Sequence, residues 1–570
     1  MPVEQDVVRV RVVNDTLEIT IPWDDHETRE EVKTRLSGRR WDSNHKAWVV
    51  PLSPRNIDTL LAKFNLDESM QRKLQAKRKA TVKRQETSAQ LSAAREGRVN
   101  IPGLNGTLRP FQQAGIQFAQ LHRGVLWADE QGLGKSVQSM ATVEMAELYP
   151  AIIYCPDVVK LAWKNEIARW LPARKIAVLG VGKKLAGVPP EEADFIILNY
   201  DIAAKHLSLM LSLEPRALIA DESHYLKNRK TQRTQAVTAV VERSAQTLRK
   251  VLLLSGTPVL NRPAELATQL QMLGLLDSEF GGFVPYAYRY CAAYRDRFGF
   301  HTEGASHLDE LHAKLRQTCM VRRLKRDVLE ELPGKQVVTV PVQLGNPGEY
   351  GKADAEFRAW LRDKFAGDKE FLASIAHLSP PLQQVEMTLR VQTTLRAEAL
   401  ARRGALRLLA GRGKIHAAAA WIKDFHEANG EEKLLVFAHH TEVLHALVSE
   451  FKGCLHILSE DSPANRQAAV EAFQADPLQW LMVLSTPVAQ TGLTLHAASN
   501  ELFVEYEDTA AAHNQAEDRA HRIGQRASVT VYRLHAEDSV DDDLLAQITT
   551  RGQVADELVD GKKSGLRSVG

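Results

Sequence analysis

No stretch of this 570-residue chain stays apolar for the roughly 20 residues that a bilayer-spanning helix requires. Its first residues, MPVEQDVVRV, lack the basic-then-apolar layout of a secretory leader. A membrane or secreted protein is therefore not expected, and a cytoplasmic, nucleoid-like or nucleus-equivalent compartment is. Cysteine is scarce: Cys155, Cys291, Cys319 and Cys454 lie far apart, with no CxxC pair and no histidine at zinc spacing. That argues against a disulfide scaffold and a structural zinc site, and leaves reduced, mostly buried thiols. Neither charge dominates, since 73 Lys and Arg face 71 Asp and Glu for a net charge of +2. The balance conceals one local asymmetry. Between residues 71 and 98 stand Arg72, Lys73, Lys77, Arg78, Lys79, Lys83, Arg84, Arg95 and Arg98, against only Glu86 and Glu96. A solvated helical linker and a phosphate-contacting helix both fit this run.

What is present has the ordinary make-up of folded protein, 44% hydrophobic and 25% charged, in a chain too long for a single core. Residues 1–65 form a small α+β unit: VVRVRVV and LEITIP alternate at period two, ETREEVKTRL is helical, and KAWVVP is a further short strand. A basic helical linker occupies 66–100. From 101 to 275 the apolar runs VLWA, AIIYC, FIILN, ALIA and VLLL alternate with helical stretches, the pattern of a buried parallel sheet with crossover helices. Residues 276–410 turn helical and charged, an insertion or linker region. The βα rhythm resumes over 411–570 with KLLVF, CLHIL, LMVL, ELFV and VTVYRL, so one α/β lobe is followed by another.

The chemistry concentrates at two strand ends. VLWA runs into Asp129-Glu130-Gln131-Gly132-Leu133-Gly134-Lys135-Ser136, followed by a helix. Such a junction aims backbone N–H groups and a helix N-terminus at phosphates. Gly132 and Gly134 let the backbone approach, Lys135 reaches the β- and γ-phosphates, and the Ser136 hydroxyl suits Mg²⁺. Asp129 stands where the GxxxxGK[ST] pattern has its leading glycine. Further on, ALIA ends in Asp221-Glu222-Ser223-His224. Two adjacent acids at the end of a buried strand divide the labour: Asp221 holds Mg²⁺, directly or through water, and Glu222 polarises the attacking water.

Taken together, ADEQGLGKS, DESHYLKNRKT, LLLSGTPVLNRPAEL and QAEDRAHRIGQ resemble motifs I, II, III and VI of the Snf-family helicase-related ATPases, in the family's order. LRPFQ resembles the segment upstream of motif I, and the resemblance implies that Gln112 reads adenine. YCPDVVKLAWKNEIARW, ILNYD, KLLVFAHH and LSTPVAQTGLTLHAAS resemble motifs Ia, Ib, IV and V, and RRLKRDVLEELPGK resembles the stretch joining the lobes. The likeness spans roughly 105–560. It implies two RecA-like parallel-sheet lobes with helical insertions, preceded by the small α+β domain, with ATP and Mg²⁺ as cofactors and double-stranded DNA as partner. It also implies that Arg519 and Arg522 act as arginine fingers on the γ-phosphate, that Ser255 and Thr257 couple nucleotide state to DNA grip, and that Gly492 and Thr494 serve the second lobe's side of that coupling.

Three positions depart from the family pattern. Thr486-Pro487-Val488-Ala489-Gln490-Thr491-Gly492 replaces a glycine-rich turn, Tyr506 and Asp508 stand where a tryptophan is usual, and Ser459-Glu460 replaces a glycine. At the other end, Gly38-Arg39-Arg40-Trp41-Asp42 and Lys46-Ala47-Trp48-Val49-Val50-Pro51 resemble the HARP domain of annealing helicases, which recognises forked or junction DNA. Arg39 and Arg40 supply charge for phosphates; Trp41 or Trp48 either stacks on an unpaired base or fills a small core. The expectation is a monomeric, DNA-dependent ATPase that translocates on duplex DNA and remodels forks, junctions or protein–DNA complexes without net strand separation. The alternative is a DNA-binding scaffold whose ATPase fold is weak or inactive.

Overall fold

The computed structural model describes residues 8–13, 16–22, 25–181, 184–259, 262–296, 299–329, 331–390, 393–430, 432–489, 495–521, 525 and 527–561. The chain divides into two units, Met1–Val328 with Val554–Gly570, and Leu329–Gln553.

The first unit opens with four strands, β1 (Arg9–Val13), β2 (Thr16–Thr20), β3 (Arg40–Asp42) and β4 (Ala47–Pro51), in the antiparallel order β1-β2-β4-β3. Leu17, Ile19 and Val50 pack against Val32 of helix His26–Arg35 and against Ile57 and Leu60 of helix Pro54–Lys63. Both helices are capped as their sequences suggest: Asp25 accepts from the Thr28 amide, and Ser53 from that of Asn56 with Pro54 at the first position. The 25-residue helix Glu68–Ser92 follows. Leu74 completes the module's core, and Ser88 and Ser92 donate to the carbonyls of Arg316 and Met320 at 3.0 and 2.6 Å. Gly38 (φ +66°) presses its Cα on the main chain of helix Leu276–Phe280, where a Cβ would lie 2.4 Å from the Asp277 carbonyl oxygen.

The large sheet of this unit contains β5 (Gly124–Trp127), β6 (Ala151–Cys155), β7 (Ile176–Val181), β8 (Lys184–Gly187), β9 (Phe195–Asn199), β10 (Ala217–Asp221) and β11 (Lys250–Leu254). A separate hairpin is made by β12 (Tyr294–Asp296) and β13 (Gly299–His301), and β14 (Met320–Val321) closes the large sheet at its edge. The order is β14-β5-β11-β10-β6-β9-β7-β8, parallel except for β7 with β8. Alternate residues of its central strands feed two separate hydrophobic clusters, Leu218 and Leu253 in one, Ile219 and Leu252 in the other. A sheet covered on both faces in this way explains the unbroken apolar runs.

The second unit holds β15 (Lys335–Val342), β16 (Leu434–Ala438), β17 (Leu455–Ile457), β18 (Leu481–Ser485), β19 (Asn500–Phe503) and β20 (Val529–Ala536) in the all-parallel order β15-β20-β19-β16-β18-β17. The fold is thus α/β, with two parallel-sheet lobes and a small antiparallel domain in front. Three details differ from expectation. The region 276–410, expected to be helical, also holds the hairpin β12–β13 and β14, which extends the first lobe's sheet past its expected end at 275. β15 lies inside the same region; KQVVTVPV is a valine-rich edge strand with five exposed residues at its start, paired to a strand far along the chain. The expected boundary near 410 falls within helix Thr393–Asn429, whose Gly411 is required by packing, since a Cβ there would lie 2.5 Å from Glu505 Oε1.

The contact at Gly38 is directly testable. Gly38→Ala adds a left-handed backbone strain of about 1–2 kcal/mol to a clash with main-chain atoms. Chemical denaturation should show at least that loss, with earlier proteolytic cleavage within the first 66 residues. Wild-type stability would mean that the module is not seated on Asp277.

Candidate nucleotide-binding site

Register assembles the site. Trp127 of β5, Leu254 of β11 and Asp221 of β10 lie side by side, so three loops leave one end of three adjacent parallel strands. Ligands of open α/β sheets bind outside the carboxyl ends of the strands.

The first loop, 128–134, turns through Gly132 (φ +81°) and Gly134 (φ +76°) into helix Lys135–Met145. A Cβ on Gly134 would lie 2.5 Å from Gln112 Nε2, and at φ +76° any other residue would be strained. Gln112 itself accepts from the Arg109 amide through Oε1 at 2.9 Å and donates to the Leu133 carbonyl at 3.2 Å, tying its segment to the loop. Lys135 Nζ folds back to donate to the carbonyls of Asp129 (2.8 Å) and Glu130 (3.4 Å). Burial pushes its ammonium below the ordinary lysine range, opposed by the attraction of Glu222, Asp129 and Asp221.

The departure at Asp129 has a structural cause. Its carboxylate is fully buried, and Oδ2 accepts from Arg323 Nη1 at 3.0 Å and from Gln138 Nε2 at 3.3 Å. Arg323 also donates to Ala94 O at 2.8 Å, and the neighbouring Arg322 donates to Ala128 O at 2.7 Å and Gly256 O at 3.1 Å. Glu130 accepts from the Lys325 amide at 2.7 Å. The RRLK segment thereby holds the phosphate loop from behind.

The second loop carries the acid pair. Asp221 Oδ2 accepts from Trp163 Nε1 at 2.8 Å, and Oδ1 accepts from the Glu222 amide at 3.0 Å. Burial, reinforced by Glu222, pushes the Asp221 carboxyl up to about 6. Glu222 adopts φ +50°, a conformation that non-glycine residues take at a cost and that recurs at functional sites. His224 Nδ1 lies 3.3 Å from Glu222 Oε2 and 3.2 Å from Ser255 Oγ, linking the second loop to the third. Ser223 reaches the third loop as well, donating to Gln269, whose amide donates to Pro258 O at 2.9 Å. Gly256 sits against the first loop: a Cβ would be 2.6 Å from Gln131 Cγ and 3.5 Å from Lys135 Nζ.

The donor set suits a nucleotide with a divalent cation. A positive-φ glycine loop opens a helix with a lysine and a serine at its start, beside two carboxylates, one of which burial pushes up to about 6. Ser136 and Asp221 offer side-chain oxygens, the kind of ligand that Mg²⁺ prefers. Gln112, Gly132, Gly134, Lys135, Ser136, Asp221 and Glu222 thus share one end of the first unit's sheet. Trp163 and Tyr200 (whose hydroxyl donates to the Asp221 carbonyl at 2.5 Å) were missed as site residues because they lie 58 and 21 residues from the acid they touch, whereas His224 was legible two residues after Glu222 but was given no role.

In the second unit, helix Ala510–Glu517 opens the QAEDRAHR segment. Arg519 is buried, with Nε donating to Gln515 O at 2.8 Å. Glu517 receives Lys335 Nζ at 2.7 Å and Arg533 Nη2 at 2.5 Å, cations that hold its carboxyl far below the usual range despite burial. Where the family has tryptophan, Tyr506 is buried beside His535 at 3.2 Å and Asp508 pairs with Arg407 at 2.9 Å. Arg522, Gly492 and Thr494 lie outside the described residues. On the N-terminal sheet Trp41 is 53% exposed, with its ring edge-on to Trp48 at 5.3 Å. Trp48 is half-buried against the core, and Arg39 and Arg40 are exposed.

A phosphate loop, an acid pair and a linking serine loop on neighbouring parallel strands, with a second parallel-sheet lobe after them, define a helicase-like nucleotide-binding protein. The SNF2-related domain matches residues 48–349, and the helicase conserved C-terminal domain matches 416–524. The chain belongs to the SNF2-related family of helicase-like ATPases. It is 33% identical over 461 residues to the SWI/SNF-related matrix-associated actin-dependent regulator of chromatin subfamily A-like protein 1 of Xenopus tropicalis, covering 79% of this chain and 45% of that protein. It is 31% identical over 485 residues to the DNA annealing helicase and endonuclease ZRANB3 of Mus musculus, covering 82% of this chain and 42% of that protein. The chain therefore spans less than half the length of these two relatives.

Asp129→Gly would restore the full phosphate-loop pattern, yet it leaves the Arg323 guanidinium buried without its carboxylate. Breaking one partner of a buried pair costs about 3–5 kcal/mol. Both Asp129→Gly and Arg323→Ala should lose that much in denaturation. A neutral or stabilising Asp129→Gly would show that the pair is dispensable.

Proposed function

We propose that the chain is an ATP-driven translocase on double-stranded DNA that remodels forked or junction DNA or protein–DNA complexes without net strand separation. The observation that carries this is the acid pair Asp221–Glu222 beside the lysine-bearing phosphate loop, in a chain of the SNF2-related family. The relatives' names, a chromatin regulator and a DNA annealing helicase, support DNA as the partner.

ATP with Mg²⁺ supplies the phosphoryl group and the free energy of its transfer. The backbone N–H groups after Gly132 and the Lys135 ammonium bind the phosphates, and Gln112, with one amide hydrogen and one lone pair uncommitted, reads the adenine edge. Ser136 and Asp221 hold the metal. Glu222 orients the attacking water, and His224 reports its position to Ser255. Arg522 and Arg519 stabilise the charge on the transferring phosphoryl group, and Gly492 serves the motif V side of the cycle. In the N-terminal module, Arg39 and Arg40 neutralise phosphates, and Trp41 stacks on an exposed base with Trp48 supporting it from the core.

Lys135→Ala should abolish tight nucleotide binding, whereas Glu222→Gln should bind ATP and hydrolyse it roughly 10²–10⁴-fold more slowly. Near-normal turnover in Glu222→Gln would remove the catalytic assignment. Arg522→Ala should keep nucleotide affinity and lose DNA-stimulated turnover by about 10³–10⁵; equal losses of both would make it a structural residue. ATPase rates without nucleic acid and with single strand, duplex and fork test the whole reading. Duplex and fork should stimulate most, and a flat, negligible rate throughout would favour the binding-scaffold alternative.

The module has its own test. Trp41→Ala removes an exposed ring without opening the core, so it should lower preference for fork over duplex while duplex-stimulated ATPase persists. Unchanged preference would place junction recognition elsewhere.

A further inference from the structure

Helix Glu68–Ser92 carries more positive charge than its structural role uses. Seven of its residues are Arg or Lys (Arg72, Lys73, Lys77, Arg78, Lys79, Lys83 and Arg84) against Glu68 and Glu86. Two of the seven have partners: Arg72 pairs with Glu68, and Arg78 grips Asp58 through both Nε and Nη2. Lys73, Lys77, Lys79 and Lys83 are exposed, and their side chains have no ion pair or hydrogen bond among the described residues. They form two i,i+4 pairs of like charge, Lys73 with Lys77 and Lys79 with Lys83, each of which destabilises the helix it sits on. Packing does not repay this, because Leu74, Ser88 and Ser92 make the buried contacts, and Lys79 and Lys83 project about 140–180° around the helix from them.

The helix is also fixed in place. Its first half belongs to the N-terminal module, through Leu74 and the Asp58–Arg78 pair. Its second half packs on helices Pro110–Leu121 and Leu308–Thr318 at the β14 edge of the large sheet, where Arg316 donates to Ser92 Oγ and Ala89 O and His122 meets Ser88 Oγ at 2.9 Å. By the same helical period Lys73 and Lys77 lie about 120° around the helix from Lys79 and Lys83, so the four lysines form a preset ridge of two rows flanking one outward face. An i,i+4 step advances about 6 Å along the axis, and Lys73 to Lys83 spans about 15 Å, a little under half a turn of duplex.

We infer that this ridge is a second DNA-binding site, taking the phosphate backbone of the duplex arm that leaves the N-terminal module. The inference rests on the DNA-remodelling reading above. DNA held by the module runs onto the ridge because the helix begins inside the module itself. A duplex presents one negative charge per about 1.7 Å of axis, which matches closely spaced unpaired lysines better than the scattered acids of a folded protein do.

The test is the full chain with Lys73, Lys77, Lys79 and Lys83 all changed to Gln, measured for binding to a two-armed fork and to plain duplex across a salt series. Each phosphate contact contributes about 0.9 to the slope of log affinity against log salt. The fork slope should fall by up to about 3.6, the plain-duplex slope should change by less than 1, and maximal ATPase on saturating duplex should be retained. The quadruple Lys→Arg variant should keep the wild-type fork slope. An unchanged fork slope, an equal fall on plain duplex, or a loss in the arginine variant each overturns the inference. Failure of the underlying reading looks different: the wild-type chain would then show no DNA-stimulated ATPase and no salt-dependent fork binding.

Discussion

The buried pair between Asp129 and Arg323 is the constraint on which the first unit depends. A charge inside protein is costly unless paired and hydrogen-bonded, and neither residue has solvent to fall back on. Satisfying Asp129 brings the RRLK segment beneath the phosphate loop. Arg323 then reaches the end of the basic helix through Ala94 O, and Arg322 reaches the loop's own strand and the SGTP turn. Phosphate loop, serine loop and connecting segment are consequently one hydrogen-bonded body. The motif position usually held by glycine has been given over to organising that body.

The second unit solves a similar problem with two cations on one buried carboxylate. Glu517 is a buried carboxylate between two cations, Lys335 at the start of the edge strand and Arg533 on the neighbouring strand. It thus pins the QAEDRAHR segment to the strands β15 and β20 below it. Glu501, buried and close enough to feel Glu517, is pushed well above the carboxylate range. One site residue in this lobe, Arg519, is already engaged with its own helix, through Gln515 O.

Much of this was legible in the sequence. The runs VLWA, AIIYC, FIILN, ALIA and VLLL are the five strands β5, β6, β9, β10 and β11, because burial on both faces erases alternation and leaves only apolar residues. Gly134, Lys135 and the acid pair announced themselves through residue types that packing alone does not explain. What stayed hidden depends on distance along the chain. Asp129 looked like a defect in a motif, since its partner lies 194 residues away. The edge strand β15, KQVVTVPV, is rich in valine but stands alone between charged helical stretches, and its sheet partner β20 begins at Val529. Trp41 and Trp48 were equivalent as letters; they sit directly opposite one another across β3 and β4, and the place of β3 at the sheet edge leaves Trp41 exposed while Trp48 lies against the core.

The helix Glu68–Ser92 has a consequence beyond its charge. It is a single uninterrupted rod of 25 residues without glycine or proline, clamped by Leu74 at one end and by Ser88 and Ser92 at the other. A rod gripped at both ends has no soft joint, so it behaves as a lever arm rather than a tether. With Gly38 seated on Asp277 as a second, separate contact, the N-terminal module is fixed to the large sheet at two places, so the exposed Trp41 keeps one set bearing on the sheet edge.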